Sequence, residues 1–259
     1  MLGKLLKYEF KSTARTLLPL YIAVIGLSLV VGLFGQAELF EMQIFALVIL
    51  ICLMMAMSIA TLLVIINRFR KNLLGDEGYL MFTLPVKTKN LIISKLISSV
   101  IYIIISSVMV AVSFFIIMSF TGALQEFVSS MNSMFEYMTS QLMDNRDIIM
   151  NFAYVGVEFI LRYCMLVLLI YFSLSLGQIN IFSKHRIVAA VIAFIAGNTV
   201  ISGVSRVVLG LISTESSGVT SILLWTDPAA LSALILLMVF IVLLFMVTSY
   251  ILKNHLNLE

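Results

Sequence analysis

From Ile44 to Ile66 the chain runs for 23 residues without a charge. As an α-helix this stretch rises about 34 Å at ~1.5 Å per residue, enough to cross a hydrocarbon core of about 30 Å. In a bilayer the backbone must satisfy its own N–H and C=O groups, which a helix does within one segment. Five further stretches read the same way, at about 17–35, 96–121, 157–179, 187–209 and 229–252. Together they raise the chain to 62% hydrophobic with a mean hydropathy of +1.15, where soluble domains are roughly 45–50% apolar. A membrane β-barrel alternates apolar and polar residues and gives no such continuous runs. The sequence predicts an all-α, polytopic integral membrane protein. It has one transmembrane domain over residues 1–259, six transmembrane helices and an N-terminal amphipathic elbow helix.

Basic residues set the expected orientation. With both termini cytoplasmic, the inner segments carry Lys4, Lys7, Lys11, Arg15, Arg68, Arg70, Lys71, Lys87, Lys89, Lys95, Lys184, Arg186 and Lys253, which is 13 of the 16 Lys and Arg. Arg146, Arg162 and Arg206 fall on the outer half, together with most of the acidic residues. The net charge of +3 is therefore an orientation signal and not a nucleic-acid footprint. Cys52 and Cys164 sit inside apolar stretches and suggest neither a disulfide framework nor a metal site. The first apolar stretch follows a long charged leader and reads as an uncleaved anchor.

Residues 1–16 are expected to form the elbow helix. Lys4, Lys7, Lys11 and Arg15 share one face, and Leu2, Leu6, Phe10, Thr13 and Leu17 lie opposite. Such a helix rests in the membrane interface with its basic face toward anionic headgroups. It serves as an anchor, or as a contact for a cytoplasmic partner as well. Gly26, Gly32 and Gly35 in the first span permit close helix contact. In the third span Ser99, Ser106 and Ser113 recur every seven residues, which suits a tight helix seam, a substrate-lining stripe, or both.

Residues 67–95 form the most structured of the expected loops. Gly75 can end the preceding helix, and Asp76 can cap a short new one with Glu77 in its first turn. Tyr79, Leu80, Met81 and Phe82 give that turn an apolar side, Pro85 stops it, and Thr88 starts the next long helix. A capped turn with exposed aromatics on the charged side of a membrane protein is a docking knob.

On the other side, residues 122–156 are expected to hold an amphipathic segment. Leu124, Phe127, Met131, Phe135, Met138 and Leu142 share one face, and a polar turn Asp144-Asn145-Arg146-Asp147 closes the helix. It suits packing on the leaflet or the bundle, or a lid. Glu158 and Arg162 are an i,i+4 pair of opposite charge, read as an outer ion pair or as part of an export path. Ala189, Ala193 and Gly197 make a small-residue face and a possible dimer seam. The fifth span is expected to break at Gly203 and Gly210, with an outer re-entrant segment over 210–228 that includes the apolar piece 219–225. Trp225 suits the interface, and Asp227-Pro228 starts the last span.

Some chemistry is missing from the sequence. There is no G-x-x-x-x-G-K-[ST] loop and no H-E-x-x-H, and His185 and His255 are far apart. No carboxylate pair lies mid-membrane, so a proton relay is not expected. A transporter built this way takes its energy from a partner and carries a cargo with an apolar part.

In order along the chain, the basic elbow, the six spans, the short helix in the first cytoplasmic loop and the re-entrant piece resemble permease subunits of ABC transporters of the type-2 exporter class. The local string Gly75-Asp76-Glu77-Gly78-Tyr79-Leu80-Met81-Phe82-Thr83-Leu84-Pro85-Val86, followed by Ile92-Ile93-Ser94-Lys95-Leu96, is similar to the stretch that family carries before its third span. The opening Leu5-Leu6-Lys7-Tyr8-Glu9-Phe10-Lys11 resembles permeases of Gram-positive bacteria.

The resemblance implies that Asp76, Glu77, Gly78, Tyr79, Leu80, Met81, Phe82, Thr83 and Leu84 form the coupling helix that contacts a separate ABC ATPase. It implies that Lys4, Lys7, Tyr8, Phe10 and Lys11 belong to the elbow. ATP and Mg would be bound by that partner ATPase, with no cofactor or catalytic site in this chain. A second permease copy, or a homologous permease, would complete the assembly in a bacterial plasma membrane. The long outer segment between spans three and four departs from many relatives. The expected function is ATP-driven export of an apolar or amphipathic substrate such as a peptide, lipid or antibiotic. The alternative is a non-transporting sensor or immunity scaffold that binds an outer ligand.

Overall fold

A computed structural model of the chain describes residues 2–74, 88–141, 145–179, 185–215, 224–225 and 227–254. Among them there is no strand. The helices in order are α1 (Leu2–Gln36), α2 (Phe40–Phe69), α3 (Thr88–Thr121), α4 (Ala123–Gln141), α5 (Asn145–Leu176), α6 (Arg186–Glu215) and α7 (Pro228–Asn254), with a π-helical turn at Arg70–Leu74 extending α2. All but α4 are long and apolar enough to cross a membrane, which makes six membrane-spanning helices among the described residues. The protein is an all-α polytopic membrane protein.

The helices run further than the apolar stretches alone indicate. The expected elbow and first span are one helix, α1, with Pro19 inside it. Within a membrane a helix tolerates proline because neighbouring groups re-satisfy the freed backbone. The basic face is as expected: Lys7, Lys11 and Arg15 are exposed, Phe10 is half-buried, and Thr13 and Leu17 are buried.

Two further expectations are corrected. The polar run at Asn145-Arg146-Asp147 is the first turn of α5 and not a closing turn. Asp147 there complements the positive end of the helix dipole, so residues 145–156 belong to the span and the separate amphipathic helix ends at Gln141. At the other end of the pair, α6 passes unbroken through Gly203, Arg206 and Gly210 to Glu215. Each glycine costs about 1 kcal/mol of helix propensity, but an opened turn in a membrane leaves backbone groups unsatisfied at several kcal/mol each. Of the expected re-entrant piece, Leu224 and Trp225 lie in a turn, and 219–223 lie outside the described residues.

The chain divides into two compact units, Met1–Asn67 with Ile97–Tyr137 and Arg68–Leu96 with Met138–Glu259. In the first, Leu17, Tyr21, Val24 and Val31 of α1 pack with Ala46, Leu50 and Met57 of α2 and Tyr102 of α3. A hydroxyl knot holds the three helices together. Ser106 bonds the Tyr21 hydroxyl at 2.9 Å and the Thr61 hydroxyl at 3.1 Å, and Thr61 also donates to the Met57 carbonyl. Tyr102 donates to the Phe10 carbonyl at 2.7 Å, and its ring lies 5.6 Å from that of Phe10. Ser99, Ser106 and Ser113 are all buried, so the seven-residue stripe faces protein. Gly32 lies against the Phe120 ring, so close that an added Cβ would come within 2.9 Å of it.

The turn from α1 to α2 is a Schellman cap. The Leu39 N–H donates to the Phe34 carbonyl and the Glu38 N–H to the Gly35 carbonyl. The left-handed position that glycine usually fills is occupied by Glu38, at φ 56°. Gly122, at φ 77°, makes the matching bend between α3 and α4. On α4 the apolar side stays uncovered: Phe127, Val128, Met131, Met134 and Phe135 are all exposed.

In the second unit α5 packs against both α6 and α7, which also touch each other. Val167, Leu168, Leu169, Ile170 and Tyr171 are buried in succession, so α5 is covered on every side at that level. Gly177 lets the end of α5 meet the start of α6, since a Cβ there would fall 2.5 Å from the Arg186 carbonyl oxygen. Gly197 receives Leu169 of α5, so this position of the small-residue face packs within the chain. Ala189 and Ala193 are half-buried.

Two substitutions test this packing by reversible unfolding in detergent. Glu38→Gly removes a left-handed penalty of roughly 1–2 kcal/mol while adding chain flexibility, and stabilises the protein by about 1 kcal/mol. Ser106→Ala leaves the buried Tyr21 hydroxyl without a partner and destabilises by about 1–2 kcal/mol.

Candidate functional site

The residues expected to couple to a partner, Asp76 to Leu84, lie outside the described residues. The structure does describe both flanks of that segment, and they converge on one side chain of α5. Phe69, the last residue of α2, stacks on Tyr171 with ring centroids 4.0 Å apart and planes 9° apart. From the other flank, the Lys95 carbonyl in the second turn of α3 accepts a hydrogen bond from the Tyr171 hydroxyl at 3.3 Å. Phe69, Leu73 and Ile92 are completely buried, and Tyr171 is 1% exposed.

The sequence explains why this clamp forms. A tyrosine ring is apolar enough for a membrane helix, but its hydroxyl needs a partner when buried. Lys95 supplies a carbonyl near the start of α3. Ser175 donates to the Tyr171 carbonyl and Ser173 to that of Ile170, so the neighbouring polar side chains are satisfied by the helix itself. The π-helical turn at Arg70–Leu74 carries the chain from the clamp toward the loop, with Arg70 and Lys71 exposed.

The opposite end of α5 holds a second arrangement. The turn before α7 and the first turn of α7 itself dock on α5 through three bonds. The Leu224 N–H donates to Asn151 Oδ1 at 2.9 Å, the Trp225 indole N–H to the Met150 carbonyl at 2.6 Å, and the Tyr154 hydroxyl to the Ala230 carbonyl at 2.7 Å. Tyr154 and Trp225 meet edge to face at 5.6 Å. Asp227 caps α7 by accepting from the Ala229 N–H at 3.1 Å, with Pro228 at the first helical position. Between α5, α6 and this turn lies an open cavity of about 560 Å³. Its polar residues are Tyr154, Glu158, Arg206 and Asp227, and its walls include Leu209, Leu224 and Ala233.

The expected Glu158–Arg162 pair is formed. Arg162 reaches one carboxylate oxygen through both Nε, at 2.9 Å, and a terminal nitrogen. Arg162 is exposed while Glu158 is half-buried, so the carboxylate and not the guanidinium lines the cavity. Of the elbow residues, Lys7, Tyr8 and Lys11 are exposed, and the Phe10 ring lies against Tyr102. The Lys4 side chain lies outside the described ones. Cys52 and Cys164 are free thiols, and no group of three or more His, Cys, Asp or Glu gathers among the described residues.

Sequence reasoning missed Tyr171, Tyr154 and the cavity. The available signal is a tyrosine hydroxyl within a membrane span, which demands a partner without naming it. Substitution at the clamp separates its two contacts. Tyr171→Phe keeps the stack and loses only the hydrogen bond, at a cost of about 0.5–1.5 kcal/mol. Tyr171→Ala loses both and costs about 3–5 kcal/mol, read as the shift in unfolding midpoint of the purified protein.

No protein-family model matches the chain, and no match is found among curated proteins or solved structures.

Proposed function

We propose that the chain is the membrane-spanning permease subunit of an ATP-driven ABC exporter. It acts with a separate ATPase that binds ATP and Mg, and with a second permease copy or a homologous permease, in a bacterial plasma membrane. Both termini and the 67–95 loop lie on the cytoplasmic side, and the cargo is an apolar or amphipathic molecule such as a peptide, lipid or antibiotic.

The observation that carries this reading is the clamp at Tyr171. A loop that merely joined two spans would need no fixed base. Here both flanks of the loop are tied to the central helix of the second unit, by a ring stack on one side and a hydrogen bond on the other. A displacement of residues 75–87 by a docked partner is thereby delivered to α5, and from α5 to α6 and α7, which pack on it. Rigid packed helices with few alternative arrangements transmit such a displacement instead of absorbing it. The charge pattern supports the same orientation: basic residues gather at the ends that meet the cytoplasm in this reading, in keeping with the positive-inside bias. The lack of a phosphate-binding loop in the chain accords with energy supplied from outside it.

The coupling role is tested by Glu77→Ala combined with Phe82→Ala. The double variant inserts and folds normally, and its ATPase partner continues to hydrolyse ATP. Extrusion of a cargo first identified by stimulation of that ATPase falls to background in vesicles. Normal extrusion by the double variant contradicts the proposal.

A further inference from the structure

Arg206 and Asp227 line the same cavity and do not pair. No ion pair or hydrogen bond links Arg206 to any described residue, and the Asp227 carboxylate caps α7. The other two charges at this place already neutralise each other, since Arg162 holds Glu158. Among the described residues that leaves one cation and one anion facing a shared space of about 560 Å³, a size in the range of about 300–1,000 Å³ typical of small-molecule sites. Arg206 lies 20 residues along α6 from Arg186, about 30 Å at ~1.5 Å per residue. The cavity is therefore at one edge of the hydrocarbon layer, at the depth where Tyr154 and Trp225 place interfacial aromatics. Unpaired charges at the edge of a low-dielectric layer strongly favour opposite charges on a ligand.

We propose that this cavity binds the headgroup of a zwitterionic phospholipid that carries a primary amine. Its phosphate lies on the Arg206 guanidinium, which presents a planar fork of donors suited to phosphate oxygens. Its ammonium donates to the Asp227 carboxylate oxygen that the helix cap leaves free. Acyl chains leave along Leu209, Leu224 and Ala233. A primary amine fits better than a quaternary one because the acceptor is a carboxylate. The aromatic pair, Tyr154 and Trp225, is engaged edge to face with itself and does not form a cage around a cation. The inference stands apart from the exporter reading, since it concerns binding alone.

The test uses the full chain in detergent, with thermal shift and native mass spectrometry as readouts. The probes are phosphatidylethanolamine, phosphatidylglycerol, phosphatidylcholine and water-soluble glycerophosphoethanolamine. Phosphatidylethanolamine is expected to stabilise the protein and stay bound, with the other three at least about tenfold weaker. Arg206→Gln and Asp227→Asn each lower its affinity by about tenfold. Asn keeps the helix cap, so the second variant stays folded. Lys253→Gln, outside the cavity, leaves binding unchanged. Equal binding of phosphatidylglycerol or phosphatidylcholine overturns the paired-charge reading, as does full affinity in both cavity variants. Equal binding of glycerophosphoethanolamine overturns the lipid assignment.

Discussion

Everything in this fold follows from one requirement: inside a bilayer, each backbone N–H and C=O must be bonded within the protein. It keeps α1 helical past Pro19 and α6 helical through Gly203 and Gly210, where aqueous propensities favour breaks. It also shapes how side-chain hydroxyls are placed. Thr61, Ser173, Ser175 and Thr248 return their hydroxyls to their own helices. Long-range polar bonds are then few and valuable, and they occur where helices must hold a defined register.

The two units meet this requirement differently. In the first, a shared hydroxyl at Ser106 locks α1, α2 and α3, and glycine allows α1 to come close to the Phe120 ring. In the second, α5 is the hub. Its buried run at 167–171 receives α6 through Gly197, its Tyr171 end holds the loop flanks, and its Tyr154 end holds the turn before α7. About 17 residues of helix, or ~26 Å, separate those two tyrosines. Within that unit the same helix therefore carries both the clamp and the docked turn. The cavity and the clamp lie toward opposite ends of α5 in that unit.

The sequence made the six spans readable because long uncharged runs have few alternative homes. The Glu158–Arg162 pair was readable because i,i+4 spacing fixes its geometry within one helix. The start of α7 was readable for the same local reason, with Asp227 capping and Pro228 following. Helix ends were less so. Asn145-Arg146-Asp147 has the composition of a turn and also of a helix start, and only the apolar residues that follow decide between them. The Gly203 and Gly210 positions misled because solution propensities do not apply in lipid. The clamp was not legible at all. It depends on Phe69 and Lys95 arriving at Tyr171 from positions about 75–100 residues away, and no local pattern encodes that meeting.

In the proposed function, residues 76–84 receive force from a separate ATPase. The most direct measurement is affinity purification of the chain from its native membranes, followed by assay of ATP hydrolysis and identification of what comes with it. An ATP-hydrolysing subunit is expected to co-purify with the native chain. That subunit is expected to be lost when residues 76–84 are replaced by a Gly-Ser linker of equal length, while the six spans remain inserted. Retention of the same ATPase by the linker variant, or the absence of any ATPase from the native preparation, would contradict it.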